Sequence, residues 1–159
     1  TSEIIDEEWK KRVKVHKERR PKTWKTYEIE GDKVNIEKFN EVFEKIVIDK
    51  NDVVLVDCIT LLIFRLINKY DLSEEEIISN KAEKAIEKEV LDFFDGFIKK
   101  INKSKLEFLI VSNEVGLGIV PAYPLGRVFR DILGIVNMKI AEISEEVYFF
   151  VAGICQKIK

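Results

Sequence analysis

Apolar residues form three short, nearly continuous runs in this chain. The first is Val53-Val54-Leu55-Val56-Asp57, the second spans Leu106 to Ser112, and the third spans Val147 to Gly153. Continuous runs of β-branched and other apolar residues are typical of strands that are buried on both faces of a parallel sheet. The pattern therefore predicts three such strands, and we expect a further small strand at Thr26 to Glu30.

Elsewhere the apolar residues recur about every 3.6 positions with charged residues between them, which is the pattern of amphipathic helices. Gly134 locally weakens the last of these helices, because glycine is a poor helix former. The predicted helices are Asp6 to Arg19, Ile36 to Val47, Ser79 to Asn102, and Val128 to Ile143.

Strands that alternate with helices imply βαβ units with right-handed crossovers. The predicted fold class is therefore α/β, with an open, mostly parallel sheet and helices on both faces. No repeat, low-complexity tract or linker divides the chain, so a single domain over residues 1–159 is predicted. Ligands of such sheets bind beyond the carboxyl ends of the strands, which points to Asp57 and to Asn113-Glu114.

The composition changes this picture little. With 46% hydrophobic residues, and 27 Lys and Arg against 29 Asp and Glu, the chain is neither disordered nor fibrous, and its charge argues against nonspecific nucleic-acid binding. The longest apolar run is shorter than the roughly 20 residues of a membrane span, and the first residues do not resemble a signal peptide, so we expect a cytoplasmic protein. Cys58 and Cys155 lack metal-ligand spacing and are expected to be buried thiols.

Asp57 closes the first apolar run. A carboxylate at the end of a buried strand is unfavourable unless a cation compensates it, and in nucleotide-binding α/β folds that cation is commonly hydrated Mg²⁺. A helix N-cap or an ion pair at the strand end explains the same residue, so the sequence leaves these interpretations open.

His16 is the only histidine, and it lies in the first predicted helix on the stripe that carries Trp9 and Val13. The run His16-Lys17-Glu18-Arg19-Arg20-Pro21 surrounds it with three cations. A neutral imidazole is a competent nucleophile, and such cations stabilise the charge that develops during phosphoryl transfer. A packed structural histidine beside a solvated helix end is the alternative.

The segment Ser112 to Pro121 contains Asn113, Glu114 and two glycines, which is typical of a binding loop, although a tight connection also explains the glycines. Arg127 and Arg130 are three positions apart near the start of a predicted helix. Cations are electrostatically unfavourable at a helix N-terminus, so a phosphate or acidic ligand explains them, as does surface solubility.

In combination these residues resemble the bifunctional adenosylcobinamide kinase/adenosylcobinamide-phosphate guanylyltransferase family of cobalamin biosynthesis. Three blocks carry the resemblance: Thr1 to Pro21 with Trp24, Thr26 and Glu28; Val56 to Leu61; and Val111 to Pro121 continuing through Leu125, Arg127, Phe129-Arg130-Asp131, Gly134 and Asn137 to Val151-Ala152-Gly153 and Lys157-Ile158-Lys159. The family begins with a strand and a GxxxxGK[ST] loop, which none of the seven glycines here supplies. We therefore expect that a strand, loop and helix of about 30 residues precede this chain, and the alternative is that the protein has lost its phosphate-binding loop.

The resemblance implies a P-loop fold, a homotrimer, and two reactions that use Mg²⁺ with GTP and ATP as substrates. The hydroxyl of adenosylcobinamide is phosphorylated, and GMP is then transferred from GTP to the new phosphate through a guanylyl-histidine. It assigns His16 as the nucleophile and Asp57 as the metal ligand. The implied nucleotide-binding residues are Thr1, Ser2, Glu3, Lys17, Glu18, Arg19, Arg20, Glu28 and Asp57, and those on the substrate side are Asn113, Glu114, Arg127 and Arg130. The alternative is a non-catalytic nucleotide- or corrinoid-binding module derived from that enzyme.

Overall fold

A computed structural model describes residues 7–29, 34–48, 53–70, 72, 75 and 77–159, without the side chains of residues 7–10, 12, 16 and 48. These residues form a mixed α/β protein of five helices and four strands. The elements are α1 Glu7–Glu18, α2 Ile36–Ile48, β1 Val53–Asp57, α3 Ile59–Asn68, α4 Asn80–Lys103, β2 Glu107–Val111, α5 Pro124–Ile143, β3 Tyr148–Val151 and β4 Ile154–Lys157.

The described residues divide into two compact units. The first takes the described residues of Thr1–Glu74 together with Leu106–Asn113, and so contains α1, α2, α3, β1 and β2. The second takes those of Glu75–Lys105 together with Glu114–Lys159, and contains α4, α5, β3 and β4. No helix in the described part of the chain is long and apolar enough to cross a membrane.

In the first unit β1 and β2 pair in parallel, from Val53 opposite Glu107 to Asp57 opposite Val111. Phe108 of β2 stacks on Phe43 of α2, with ring centroids 6.2 Å apart. The prediction that these strands are buried on both faces is wrong, because alternate residues of each strand remain exposed. These residues, each 42% to 53% exposed, are Val53, Leu55, Leu109 and Val111. Phe108, which lies between the exposed residues Glu107 and Leu109, faces α2.

Helix α3 is not predicted by the sequence pattern. Seven of its ten residues are buried, Arg65 and Thr60 among them, so its sequence is apolar on nearly all sides. An amphipathic periodicity is visible only when a helix has a solvated face. For that reason the apolar run that begins in β1 continues into α3 without a change of pattern.

The second unit is built on the packing of α4 against α5. Ser79 caps α4 by accepting a hydrogen bond from the Ala82 N–H at 3.3 Å, and Lys139 of α5 pairs with Asp95 of α4 at 2.8 Å. The buried residues of the two helices are Ile86, Val90, Phe93, Phe94 and Phe97 of α4 and Gly126, Val128, Ile132, Leu133, Val136 and Ile140 of α5. The four helices predicted from periodicity are confirmed, although α5 begins at Pro124, before Val128.

The predicted third strand of one parallel sheet is wrong. β3 pairs with β4 in a separate antiparallel hairpin, so each sheet in the described residues has two strands. Ala152 and Gly153 form the turn with φ of 51° and 79°, and positive φ at both turn positions matches the twist of a two-residue hairpin.

Two smaller predictions are also corrected. Thr26 to Ile29 do not form a strand, and Glu30 lies outside the described residues. Cys58 is buried as predicted, but Cys155 is exposed, because the hairpin strand that carries it is exposed throughout.

Candidate functional site

The carboxyl ends of β1 and β2 meet at one edge of their sheet. Asp57 ends β1 opposite Val111, and Asn113 follows two residues after β2 ends. The backbone N–H of Asn113 donates a hydrogen bond of 2.9 Å to the hydroxyl oxygen of Thr60, a buried residue in the first turn of α3. The structure therefore brings Asp57 and Asn113 to the same edge, where ligands of parallel sheets bind.

Asp57 immediately precedes the N-terminus of α3. The N-cap residue is Cys58, with φ of −135° and ψ of 162°, so the N-cap interpretation of Asp57 is wrong. The first turn of α3 contains no acidic residue. Asp57 is therefore the carboxylate closest in sequence to the N-terminus of α3, which is the positive end of the helix dipole. The side chain is half-buried, and the peptide bond between Asp57 and Cys58 is cis.

A metal at Asp57 would have to take most of its coordinating oxygens from water and from the phosphates of a bound nucleotide. Among the described residues no three His, Cys, Asp or Glu side chains cluster as a metal site. Mg²⁺ usually binds through one or two carboxylates, keeps several waters and takes its other oxygens from substrate phosphates. A single half-buried carboxylate at the sheet edge fits that manner of binding.

The end of α1 and the residues after it form what we call the cationic segment, residues 16–29. The backbone turns after α1, where the Trp24 N–H donates to the Pro21 carbonyl at 3.0 Å. The returning chain brings Glu28 to Lys17, with 2.6 Å between Oε1 and Nζ, and brings the Thr26 hydroxyl within 3.3 Å of Nη1 of Arg20. The predicted nucleotide residues Lys17, Arg20 and Glu28 therefore lie close together.

The electrostatics of the segment centre on Glu28. The hydrogen bond from Lys17 lowers the pKa of Glu28 below its ordinary value of 4.5, the charges of Lys17 and Arg20 act in the same direction, and partial burial opposes them. The side chains of Lys17 and Glu28 are 46% and 43% exposed. An incoming phosphate therefore has access to Lys17.

The structure leaves other predicted residues of this group apart or undescribed. Glu18 lies 3.9 Å from Lys14 on the surface of α1, and Arg19 is exposed. His16 lies in α1 directly before Lys17, but its side chain is outside the description. Thr1, Ser2 and Glu3 lie outside the described residues.

Arg65 is a residue that the sequence reasoning missed. It lies in α3, is only 6% exposed, and donates through Nη1 to the carbonyl oxygen of Ile29 at 2.9 Å. Buried arginines are rare unless they are paired, and here one partner is the backbone carbonyl of the residue next to Glu28. A single arginine within the apolar run Ile59–Asn68 was the available signal.

In the second unit the residues from Glu114 to Tyr123 form what we call the braced loop. Glu114 accepts a hydrogen bond from the Gly116 N–H at 2.8 Å, and the Gly118 N–H donates to the Val115 carbonyl at 3.1 Å. A Cβ at position 116 would lie 2.6 Å from the same carboxylate oxygen of Glu114. Glycine therefore permits the close approach that closes this turn.

Arg127 and Arg130 hold the braced loop against the start of α5. Nη1 of Arg127 donates to the carbonyls of Pro121 and Ala122 at 3.1 and 2.6 Å, and Nη2 of Arg130 donates to the Gly116 carbonyl at 3.0 Å. The sequence suggested an acidic ligand or surface solubility for these residues. The structure gives them a further role, since they fix the backbone of the loop.

The comparison with known proteins extends over almost the whole chain. Residues 1–158 match the sequence profile of the family described as cobinamide kinase / cobinamide phosphate guanyltransferase, CobU. The chain belongs to this family. The resemblance inferred from the residue blocks is thus confirmed, and the chain is one of a family of kinase and guanyltransferase enzymes.

Curated relatives of this CobU family member cover the same span. The bifunctional adenosylcobalamin biosynthesis protein CobU of Escherichia coli (strain K12) is 35% identical over 163 residues, which include 100% of this chain and 83% of the relative. The protein of the same name from Salmonella typhimurium (strain LT2) is 34% identical over 161 residues, with 100% and 83% covered. The bifunctional protein CobP of Pseudomonas aeruginosa is 30% identical over 159 residues, with 100% and 79% covered.

Proposed function

We propose that this protein phosphorylates adenosylcobinamide and transfers GMP from GTP to adenosylcobinamide phosphate, in adenosylcobalamin biosynthesis. The family match over residues 1–158 carries the proposal. The names of the curated relatives, which describe bifunctional adenosylcobalamin biosynthesis proteins, support it. A P-loop type of sheet, a homotrimeric assembly and a cytoplasmic location are part of the same proposal.

His16 is the proposed nucleophile of guanylyl transfer. A ring nitrogen of neutral His16 attacks the α-phosphorus of GTP, so that a nitrogen–phosphorus bond forms while the bond to pyrophosphate breaks, and the ring proton passes to solvent. An oxygen of adenosylcobinamide phosphate then attacks the same phosphorus, the nitrogen–phosphorus bond breaks, and the ring nitrogen takes a proton back from solvent. The product is adenosylcobinamide-GDP, and His16 is regenerated.

The cationic segment supplies the positive charge for this reaction. Lys17, Arg19 and Arg20 lie within four positions after His16 and stabilise the charge that develops on the phosphoryl oxygens and on pyrophosphate. Glu28 holds Lys17 at 2.6 Å until phosphate oxygens replace it as the partner. The near-half exposure of both side chains supports this exchange of partners.

The remaining predicted residues complete the proposed site. Asp57 would hold Mg²⁺, which would neutralise charge on the triphosphate oxygens when bound. Thr1, Ser2, Glu3 and Glu18 are proposed on the nucleotide side. The residues proposed on the substrate side are Asn113, Glu114, Arg127 and Arg130. Arg127 and Arg130 act there at least by fixing the backbone of the braced loop.

The test is the intact mass of the naturally expressed protein before and after incubation with GTP and Mg²⁺. We expect the mass to increase by one guanylyl group, with release of pyrophosphate, and the adduct to be acid-labile as a phosphoramidate is. His16→Ala should form no adduct, whereas Lys14→Ala, an exposed change on the same helix, should form it normally. A stable guanylyl adduct on His16→Ala would refute the role of His16.

The second candidate is a non-catalytic module that binds nucleotide or corrinoid. Saturable GTP binding by the naturally expressed protein, with no pyrophosphate release and no adduct, is the result that would establish this candidate over the enzyme.

A further inference from the structure

Helix α3 contacts two separate segments of the candidate site in the first unit. Its first turn binds the chain that follows β2, and its later part binds the end of the cationic segment. We infer that Thr60 and Arg65 are positioning residues for the two half-reactions of guanylyl transfer, each serving a different half. This inference rests on the proposed function and assigns to α3 a role beyond it.

Thr60 fixes the start of the substrate side. Its hydroxyl oxygen accepts the Asn113 N–H at 2.9 Å, and Thr60 is itself only 8% exposed. A buried hydroxyl that accepts a hydrogen bond from a backbone N–H fixes the position of that backbone at the sheet edge. Without this acceptor, the Asn113 N–H needs water or another partner, and its chain loses that anchor.

Arg65 fixes the end of the cationic segment. Its Nη1 donates to the Ile29 carbonyl at 2.9 Å, one residue after the carboxylate that holds Lys17. Because Lys17 follows His16 directly in α1, the anchor acts through Glu28 on the cation beside the proposed nucleophile. Arg65 touches neither substrate in this scheme, so it acts through other residues.

The helix itself is suited to hold both segments in place. Ile59, Leu62, Ile63 and Leu66 are almost completely buried, and close-packed interiors allow little sliding without repacking. Asp57, the proposed Mg²⁺ ligand, is joined to the helix through Cys58. Thus one rigid element sets the positions of three site segments.

Loss of each anchor should impair a different half-reaction. Thr60→Val removes the acceptor at nearly constant shape, and should raise the half-saturating concentration of adenosylcobinamide phosphate about three- to tenfold, the usual effect of one lost hydrogen bond. It should leave the rate of guanylyl-histidine formation unchanged. Arg65→Met should slow guanylyl-histidine formation by about the same factor. It should leave the half-saturating adenosylcobinamide phosphate concentration unchanged.

Matched variants separate positioning from general destabilisation. Thr60→Ser keeps the acceptor oxygen and Arg65→Lys keeps a cationic donor, so each should restore the step that its partner variant impairs. If Arg65→Met does not fold, Arg65→Leu, which also lacks a donor, takes its place. A change that only weakens the fold would impair both half-reactions together, and that result would overturn the inference.

Two structural measurements test the anchors without catalysis. Hydrogen exchange at the Asn113 amide should be slow in the wild-type protein and faster in Thr60→Val. In a Trp9→Phe background Trp24 is the only tryptophan of these 159 residues, and its fluorescence anisotropy should fall in Arg65→Met because its segment is released. An unprotected Asn113 amide in the wild type, or an unchanged Trp24 signal, would overturn the corresponding anchor.

The outcomes also separate this inference from the proposed function. If the wild type forms no guanylyl-histidine, the proposed function fails and the positioning roles fail with it, even where exchange and anisotropy confirm the contacts. If the wild type forms the adduct but neither variant alters its half-reaction, the proposed function stands and the role of α3 is wrong.

Discussion

The cationic segment, and the braced loop together with the start of α5, contain the same kinds of charged residue but use them differently. In the cationic segment the contacts join side chains, Lys17 to Glu28 and Arg20 to Thr26. At the braced loop Arg127 and Arg130 of α5 donate to backbone carbonyls of the loop, and Glu114 accepts from a backbone N–H. A side-chain pair is able to exchange partners with a ligand, whereas a bond to the backbone fixes the path of the chain.

This difference teaches that an arginine near a predicted site need not bind the ligand directly. The polar groups of the braced loop bond to one another and to Arg127 and Arg130, and several of its apolar side chains are exposed, with Ile119 96% exposed. The cationic segment keeps Lys17 accessible. We therefore expect changes in the braced loop to act mainly on stability, and changes in the cationic segment mainly on the use of GTP.

The largest expected effect on stability is at Gly126. A Cβ there would lie 2.8 Å from the Pro121 Cβ and 2.6 Å from the Tyr123 ring. The exposed Tyr123 ring is free to swing aside, but the ring of Pro121 is part of the chain, so the loop must shift. We expect Gly126→Ala to lower the free energy of unfolding by about 1 to 3 kcal/mol, measured by urea denaturation.

Gly134→Ala is the matched control on the same helix. A Cβ at position 134 meets no atom within 4 Å, so only helix propensity changes. The free energy of unfolding should rise by about 1 kcal/mol, because alanine is the better helix former. If the two substitutions changed the free energy of unfolding equally, the close contacts at Gly126 would not be what holds the braced loop in place.

A smaller effect is expected when one bond to the loop backbone is removed. Arg130→Met deletes the donor to the Gly116 carbonyl and should reduce the free energy of unfolding by about 0.5 to 1 kcal/mol, while guanylyl-histidine forms at the normal rate. Lys17→Met should show the reverse pattern, with a smaller loss of stability and slower adduct formation. The comparison breaks down if Arg130→Met slows adduct formation more than Lys17→Met does.

The smallest effect is the pH dependence of the Lys17 pair. Since the pKa of Glu28 is lowered in the folded protein, the pair stabilises the fold fully above pH 4.5, and this contribution disappears as the pH falls through the lowered pKa. Lys17→Met should return the pKa of Glu28 toward 4.5, as followed by NMR of the Glu28 carboxyl carbon. Lys14→Met should leave it lowered, and an unchanged value in Lys17→Met would show that another group holds Glu28.

The spacing of apolar residues alone was sufficient to predict the helices that have one solvated side. The helices α1, α2, α4 and α5 alternate charged and apolar faces, so their positions follow from spacing alone. The parallel pairing of β1 with β2 also placed Asp57 and Asn113 at one edge. These are the parts of the fold and of the candidate site that local sequence patterns encode.

The rest depends on contacts between distant residues. Helix α3 is buried on nearly all sides, and its Arg65 finds a carbonyl 36 positions earlier in the chain, which no local pattern reveals. The apolar run in β3 looks like a buried parallel strand, yet Ala152 and Gly153 turn it into a hairpin. A glycine between two strand-like runs was the signal for that turn.

The unequal exposure of the two cysteines gives the molecule a ready attachment point for a dye. Cys155 on β4 is exposed and Cys58 is buried, so a thiol-reactive dye should label the second unit at one position. Trp24 in the first unit, made the sole tryptophan by Trp9→Phe, then serves as the donor for energy transfer. Within these 159 residues one conservative change thus leaves a single fluorescent donor in the first unit and a single accessible thiol in the second, so that the distance between two defined positions becomes measurable.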